Sequence, residues 1–484
     1  MKQKFLSSLF LMVLLNLLVK PFYILGIDAE VQNRVGEEVY GNYYALLNFS
    51  FLLNILLDLG LTNYNTKNIA QHPQLLAKHF AKILSLRFML FLLYATFTLL
   101  SGAVVGYSLH EFYLLSILLV NQFLVAIIQF SRSNFAGLHL FKTDAFISIL
   151  DRSLLILFVA VLLWSRMFDG VFKIEWFIYA QTLAYGITAL FSIALLRKKI
   201  GKLALKVKKT FSAAILRKSL PYALLIFLMM MYNRVDAVML ERICEDGDVQ
   251  AGIYAQGFRF LDAVNMFALL FAGLLLPIFS RLLKHKDDIT EMLNLAFKIL
   301  GGLAILTALI CFNYKDELIL LRYPTSGEVA ANSFGFLILS FIPVAITYVF
   351  GTLLTANGSM RQLNMMAVFG LLLNVTLNFI FIHSMKAEGA AIATLITQFV
   401  TALIQIVLVY RLLKLPFKLP IYGQLVALAG IMLGVIYGLK STDLAWPILL
   451  QCAALFVFGI VLCFVLRLFS LSDLKGLLAS KTSK

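Results

Sequence analysis

The sequence predicts an all-α, polytopic membrane protein. About fourteen transmembrane helices form two six-helix lobes related by a pseudo-two-fold axis along the membrane normal, with two further helices at the C-terminus. Three observations predict it. Apolar residues make up 61% of the 484, the mean hydropathy is +0.91, and only 14% are charged, against about 25% in a typical soluble domain. The apolar residues fall into long runs, each able to cross a hydrocarbon core of ~30 Å as a helix. The net charge of +16 gathers in alternate connectors between runs. That pattern sets orientation in a membrane, and no nucleic-acid partner is expected.

The runs lie at 6–27, 38–60, 80–107, 111–133, 144–165, 172–196, 212–240, 250–280, 291–313, 332–356, 361–383, 388–411, 419–439 and 444–470. The first follows Lys2 and Lys4 as a signal peptide would, but it continues to Ile27 without a small-residue cleavage pattern. It is read as a retained helix. Segments of ~10 residues with alternating polarity are absent, so the spans are helices and not barrel strands. The connectors are too short for a soluble domain.

Most of the 41 Lys and Arg sit in connectors on one side. Lys67, Lys78, Lys82 and Arg87 form one group, Arg132 and Lys142 another, and Arg281, Lys284, Lys286 and Lys298 a third. The densest group runs from Arg197 to Lys218. The opposite side is acidic, with Asp28, Glu30, Glu37 and Glu38 in the first connector and Glu241, Glu245, Asp246 and Asp248 in the fourth. This bias puts both termini in the cytoplasm. The Arg197–Lys218 connector has two open readings: a segment lying on anionic lipid headgroups, or a solvated tether that enforces topology.

That connector divides two similar halves. Gly41-Asn42-Tyr43-Tyr44-Ala45 opens the second span, and Gly252-Ile253-Tyr254-Ala255 opens the eighth. Ala136-Gly137 with Lys142 closes the fourth, and Asn357-Gly358 with Arg361 the tenth. The order and intervals agree, which reads as a six-span repeat. Six is even, so both copies enter from the same side. The expected division is 1–196 for the first lobe, 197–218 for the linker, 219–411 for the second lobe, and 412–484 for two additional spans and a tail.

Charges inside the spans point to function, because an ionised group at membrane depth normally faces a bundle interior or a watery cavity. Arg234 and Asp236 lie in span seven, Arg259 and Asp262 in span eight, and Lys20 in span one. Helix rise puts Arg234, Lys20 and Arg259 roughly 9, 10 and 12 Å below the acidic side. Three cations thus share one level. Arg259 and Asp262 share a helix face and are placed to pair. Arg234 and Asp236 point apart. Pro21 is expected to bend the first helix. Asp151 and Arg152 in span five form a lower rung, and Asp58 is placed at the inner interface. Asn54, Asn121, Asn374 and Asn378 suit interhelical hydrogen bonding. The competing reading is that the charges form structural ion pairs only. Cys244, Cys311, Cys452 and Cys463 have no metal-like or paired spacing. No metal, cofactor or catalytic residue is expected. Coupling to an ion gradient or the membrane potential stays open through Asp236 and Asp262.

Several stretches resemble the polysaccharide-type flippases, or O-antigen translocases, of the multidrug/oligosaccharidyl-lipid/polysaccharide exporter superfamily. They are Arg34-Val35-Gly36-Glu37-Glu38-Val39-Tyr40-Gly41-Asn42-Tyr43-Tyr44 and Leu57-Asp58-Leu59-Gly60-Leu61. Pro221 with Tyr232-Asn233-Arg234-Val235-Asp236 and Met239-Leu240 matches span seven. Gly252-Ile253-Tyr254-Ala255 with Arg259 matches span eight. Asn374, Asn378 and Glu388-Gly389-Ala390-Ala391-Ile392-Ala393-Thr394 match spans eleven and twelve. The segment Asp28-Ala29-Glu30-Val31-Gln32-Asn33 departs from the pattern by lengthening the first outer loop. The resemblance implies two lobes around a V-shaped cavity, alternating access and a polyprenyl-pyrophosphate-linked oligosaccharide as cargo. It also implies a bacterial inner-membrane location, contact with membrane lipids, and glycan polymerase or ligase machinery as partners. Lys20, Arg234, Arg259 and Arg152 are the candidates for the pyrophosphate, with Asp236, Asp262 and Asp58 as charge partners or coupling groups.

Two rival functions remain. A multidrug exporter of the same superfamily would favour acidic and aromatic groups over three cations, and twelve spans over fourteen. A membrane-embedded glycan polymerase or ligase would need larger outer loops than these.

Overall fold

The computed structural model describes residues 15–62, 65–66, 69, 72–138, 140–165, 172–200, 209–416, 418–442 and 446–468. These are helices and short turns, without a strand among them. Lys2, Lys4 and the 201–208 part of the basic connector, with its lipid-surface reading, lie outside the described residues.

The first helix passes through Lys20 and Pro21 into a π-helical turn, Tyr23–Asp28, and continues as α1, Ala29–Val35. The expected outer loop at Asp28–Asn33 is therefore helical. Two of its polar side chains find protein partners. Asp28 is 1% exposed and accepts a hydrogen bond from the Tyr40 hydroxyl at 2.9 Å. Gln32 donates to the Gly252 carbonyl at 2.8 Å. A helix rise thus carries charge that hydropathy assigns to a connector.

Span two is broken. It comprises α2, Glu37–Leu52, and α3, Ile55–Asp58. After Asp58 the backbone turns left-handed, with φ of 42° at Leu59 and 78° at Gly60. Such a break at membrane depth leaves carbonyls without helical partners, which need other donors. Arg87 supplies them from α4, Leu75–Val105. Its Nη1 donates to the carbonyls of Leu57 at 3.4 Å and Ala126 at 3.2 Å. Its Nη2 donates to Asp58 at 2.5 Å and Thr62 Oγ1 at 2.9 Å. Arg87 is 1% exposed, so it is a buried ion and not the connector charge expected from the sequence. Asp58 is its partner.

The helices that follow are α5, Leu109–Gly137; α6, Phe141–Trp164; α7, Ile174–Ile200; and α8, Lys209–Ile243. Ser108 and Glu111 cap α5 reciprocally: Glu111 N donates to Ser108 Oγ and Ser108 N to Glu111 Oε2. Then come α9, Gly247–His285; α10, Thr290–Asn313; α11, Lys315–Arg322; α12, Glu328–Leu339; and α13, Phe341–Ala356. The last three are α14, Met360–Leu413; α15, Leu419–Lys440; and α16, Ile448–Val465. Among the described residues ten helices are long and apolar enough to cross a membrane. One of them, α14, holds spans eleven and twelve. It reverses at Lys386, where φ is 49° and ψ −125°. Its two limbs then lie side by side, with Gln405 donating to Met366 Sδ at 3.2 Å.

The chain forms two compact units, Met1–Gly252 and Ile253–Lys484. In the first, α5 packs against α7, α2 and α4, α7 against α6, and α2 along α8. α8 follows the basic connector in sequence and belongs to this unit through α2. In the second, α10 packs against α12, α13, α15 and α16, and the α14 hairpin against α12 and α13. The two additional spans, α15 and α16, are thus held by α10.

Candidate functional site

In the first unit Lys20 and Arg152 come together. The charges close enough to act on Lys20 are Arg152, Arg132 and Asp151. Arg132 is itself paired with Asp144 at 2.7 Å. Arg152 projects from α6 between two tyrosines. Its guanidinium carbon lies 4.8 Å from the Tyr23 ring centre and 5.5 Å from that of Tyr185. Nη1 donates to the Tyr185 hydroxyl at 2.8 Å, and Asp151 stands 4.0 Å from Nε. The two aromatic faces stabilise the cation by quadrupole attraction, and the Asp151 carboxylate adds charge–charge attraction. Tyr23 begins the π-helical turn, a local geometry frequent at functional sites. The sequence places Lys20 level with Arg234 and Arg152 lower, so this grouping is new.

Arg234 on α8 reaches across to α2. Its Nη1 donates to Asn48 Oδ1 at 3.2 Å, and its guanidinium lies 5.1 Å from the centre of the Phe51 ring. Asn48 in turn donates to the Tyr44 carbonyl at 2.7 Å, which fixes its amide. Asp236, two residues on, is 1% exposed. Arg234, half-buried, and Asp236 leave α8 on different faces, as the spacing predicts.

In the second unit Arg259 is 8% exposed, and its Nη1 lies 3.9 Å from Asp262 Oδ2. The i, i+3 spacing on α9 produces this contact. Asn378 Nδ2 donates to Asn374 Oδ1 at 3.1 Å within α14.

Sequence reasoning missed Tyr23, Tyr185, Asn48 and Arg87. The tyrosines carried a usable signal, because a cation inside a membrane span needs neighbours and aromatic faces are the least costly. Arg87 carried a misleading one: its place in a basic group reads as interfacial. Its burial depends on a break in another helix.

A family model for the polysaccharide biosynthesis proteins matches residues 6–283 of this chain. The chain belongs to that family. A curated relative, an uncharacterised membrane protein of Methanocaldococcus jannaschii, is 24% identical over 399 residues, covering 78% of this chain and 92% of the relative. Among solved structures, the lipid II flippase MurJ in an inward closed conformation superposes with a TM-score of 0.68 at 14% identity, over 98% of both chains. A multidrug resistance MATE family transporter of the MOP superfamily, inward-facing, gives 0.59 at 15%, over 80% of this chain and 93% of its own. The eukaryotic MATE transporter AtDTX14 gives 0.56 at 16%, over 84% and 95%. At such identities these likenesses establish the fold. The chain is a multi-pass, all-helical membrane protein that shares the fold of these transporters.

Proposed function

We propose that this protein carries a polyprenyl-(pyro)phosphate-linked oligosaccharide from the cytoplasmic to the outer leaflet by alternating access, for cell-surface polysaccharide synthesis. The observation that carries the reading is a set of cations inside membrane spans that contact aromatic rings and neutral polar groups, with Asp151 4.0 Å from Arg152. Arg152 lies between Tyr23 and Tyr185, and Arg234 lies against Asn48 and Phe51. A guanidinium stays charged at membrane depth, so it can meet an incoming anion there. A pyrophosphate is such an anion, and guanidinium groups bind it bidentately. Membership of the polysaccharide biosynthesis family supports the cargo class. Lys20 and Arg152 in the first unit and Arg234 on α8 are the primary contacts. Arg259, 3.9 Å from Asp262, is a further candidate, taken by itself in the second unit.

The test is to delete the gene and identify the lipid-linked glycan that accumulates on the cytoplasmic leaflet. Neutral variants at Lys20, Arg152, Arg234 and Arg259 are then measured for export and for membrane abundance. Normal export from stable variants refutes the assignment. An exporter of cationic drugs, the rival that the MATE-type likeness keeps in view, would leave no glycan accumulated and would confer drug sensitivity on deletion.

A further inference from the structure

The turn between α8 and α9 carries carboxylates for which the cargo reading has no use. Four elements of the first unit meet there: the end of α8, the first turn of α9, the start of α2 and the capped start of α5. Two glycines permit the approach. A Cβ on Gly41 would stand 1.7 Å from the Asp248 carbonyl oxygen, and one on Gly252 would stand 2.1 Å from that of Glu37. These are the two glycines that the internal repeat aligns. Asn42 donates to Glu111 at 3.2 Å and to Asp248 at 3.3 Å. Arg242 contacts Glu111 at 3.4 Å and Glu241 at 2.9 Å, and lies 4.2 Å from the centre of the Tyr107 ring.

Glu241 is the buried member. Its side chain is 5% exposed, and Oε2 has no hydrogen-bond partner. The groups facing it are Arg242 on its own helix, Asp248 on α9, Glu111 on α5 and Tyr107 in the turn before α5. Glu38 on α2 acts on Asp248 behind them. One guanidinium therefore serves several carboxylates. Burial, reinforced by Asp248 and Glu111 and opposed by Arg242, lifts the Glu241 carboxyl to about 7. A buried carboxylate with an orphaned oxygen loses more by staying charged than an exposed one, so a proton is held there more tightly.

We infer that Glu241 is a proton-binding latch: protonation from the acidic-connector side holds the start of α2 against the α8–α9 turn. The inference rests on the alternating-access reading, in which that contact forms and releases. Its sign follows from linkage. In the latched state the carboxyl titrates near 7, and once exposed it returns to the ordinary 4.5. The latched state therefore binds the proton more tightly. Acidification favours it, and raising the pH through 7 releases it. Between about pH 8.5 and about pH 5.5 the latched-to-released ratio rises roughly 30-fold.

The test uses the full chain in lipid nanodiscs. Spin labels are placed at Val39→Cys and Glu245→Cys, after Cys244, Cys311, Cys452 and Cys463 are replaced by Ser. The readout is the distance distribution by electron double resonance, with buffer protons as the only ligand. The short-distance population is expected to grow on acidification in the wild type. Glu241→Gln is expected to hold it high at every pH, and Glu241→Asp to keep the response. His110, also on α5, faces Glu175 at 3.6 Å, so His110→Gln is expected to change nothing. A wild type that ignores pH, a response surviving in Glu241→Gln, or one abolished by His110→Gln overturns the inference. No cargo enters the measurement, so its failure leaves the cargo assignment standing, and a failed export assay leaves these distances valid.

Discussion

Asp58→Asn tests the break in span two most directly. The change keeps the size of the side chain and removes the charge that faces Arg87. Arg87 then remains a guanidinium at 1% exposure, with Thr62, two backbone carbonyls and the Phe130 ring at 5.1 Å as neutral company. Removing one partner of a buried pair costs about 3–5 kcal/mol. Asp58 is 30% exposed, so solvent screening places this case at the low end, near 3 kcal/mol. The reverse change, Arg87→Met, costs less. It removes the desolvated charge and leaves a carboxylate that reaches water and accepts from the Thr62 amide at 3.1 Å. It does leave the Leu57 carbonyl at the helix break without its donor, so about 1–2 kcal/mol is expected. The double variant should be more stable than Asp58→Asn alone, because no buried charge is left unpaired. Fluorescence-detected thermal unfolding in detergent is the assay, with a fall of roughly 5 °C expected for Asp58→Asn. Additive losses in the double variant, or an Asp58→Asn protein as stable as the wild type, would refute the buried-pair account.

Three further outcomes are expected. Gln at Lys20, Arg152 or Arg234 should weaken cargo binding roughly ten- to hundred-fold, since each charge-assisted bond is worth on the order of 1.5–3 kcal/mol. Lys at Arg234 should restore only part, having lost the planar fork; full rescue in a lipid-linked sugar binding assay would count against bidentate recognition. Arg259→Gln, Asp262→Asn and their combination separate cargo contact from scaffolding: lost abundance in the singles regained in the double means a structural pair, and lost export at normal abundance means a cargo contact. Gly41→Ala must move the Asp248 carbonyl by roughly 1.5 Å to reach ordinary carbon–oxygen contact. It should therefore lengthen the Val39–Glu245 spin-label distance at about pH 5.5, and an unchanged distance would show that the close approach is dispensable.

Hydropathy alone determined that this chain is helical and membrane-spanning, because crossing hydrocarbon demands about 20 apolar residues whose backbone bonds close within the segment. Local spacing determined more. The Arg259–Asp262 contact and the different faces of Arg234 and Asp236 each lie within one helix, where 3.6 residues per turn fixes geometry. Composition also flagged the cations as unusual, since a charge in a span needs a reason.

The partners of those cations were decided by tertiary structure. Arg152 finds Tyr185 across 33 positions and Arg234 finds Asn48 across 186. No periodicity encodes such distances, which depend on which helix faces pack. Helix ends behaved likewise. Hydropathy stops the first span at Ile27, yet the chain stays helical to Val35, because Tyr40 and the Gly252 carbonyl satisfy Asp28 and Gln32. Arg87 reads as a surface charge until the break after Asp58 supplies the Leu57 carbonyl and the Asp58 carboxylate that justify burying it. Glu241 reads as one acid among several in an exposed connector. Only the approach of α5, and of α2 where the glycines at 41 and 252 permit it, removes its water and gives its carboxyl a reason to hold a proton.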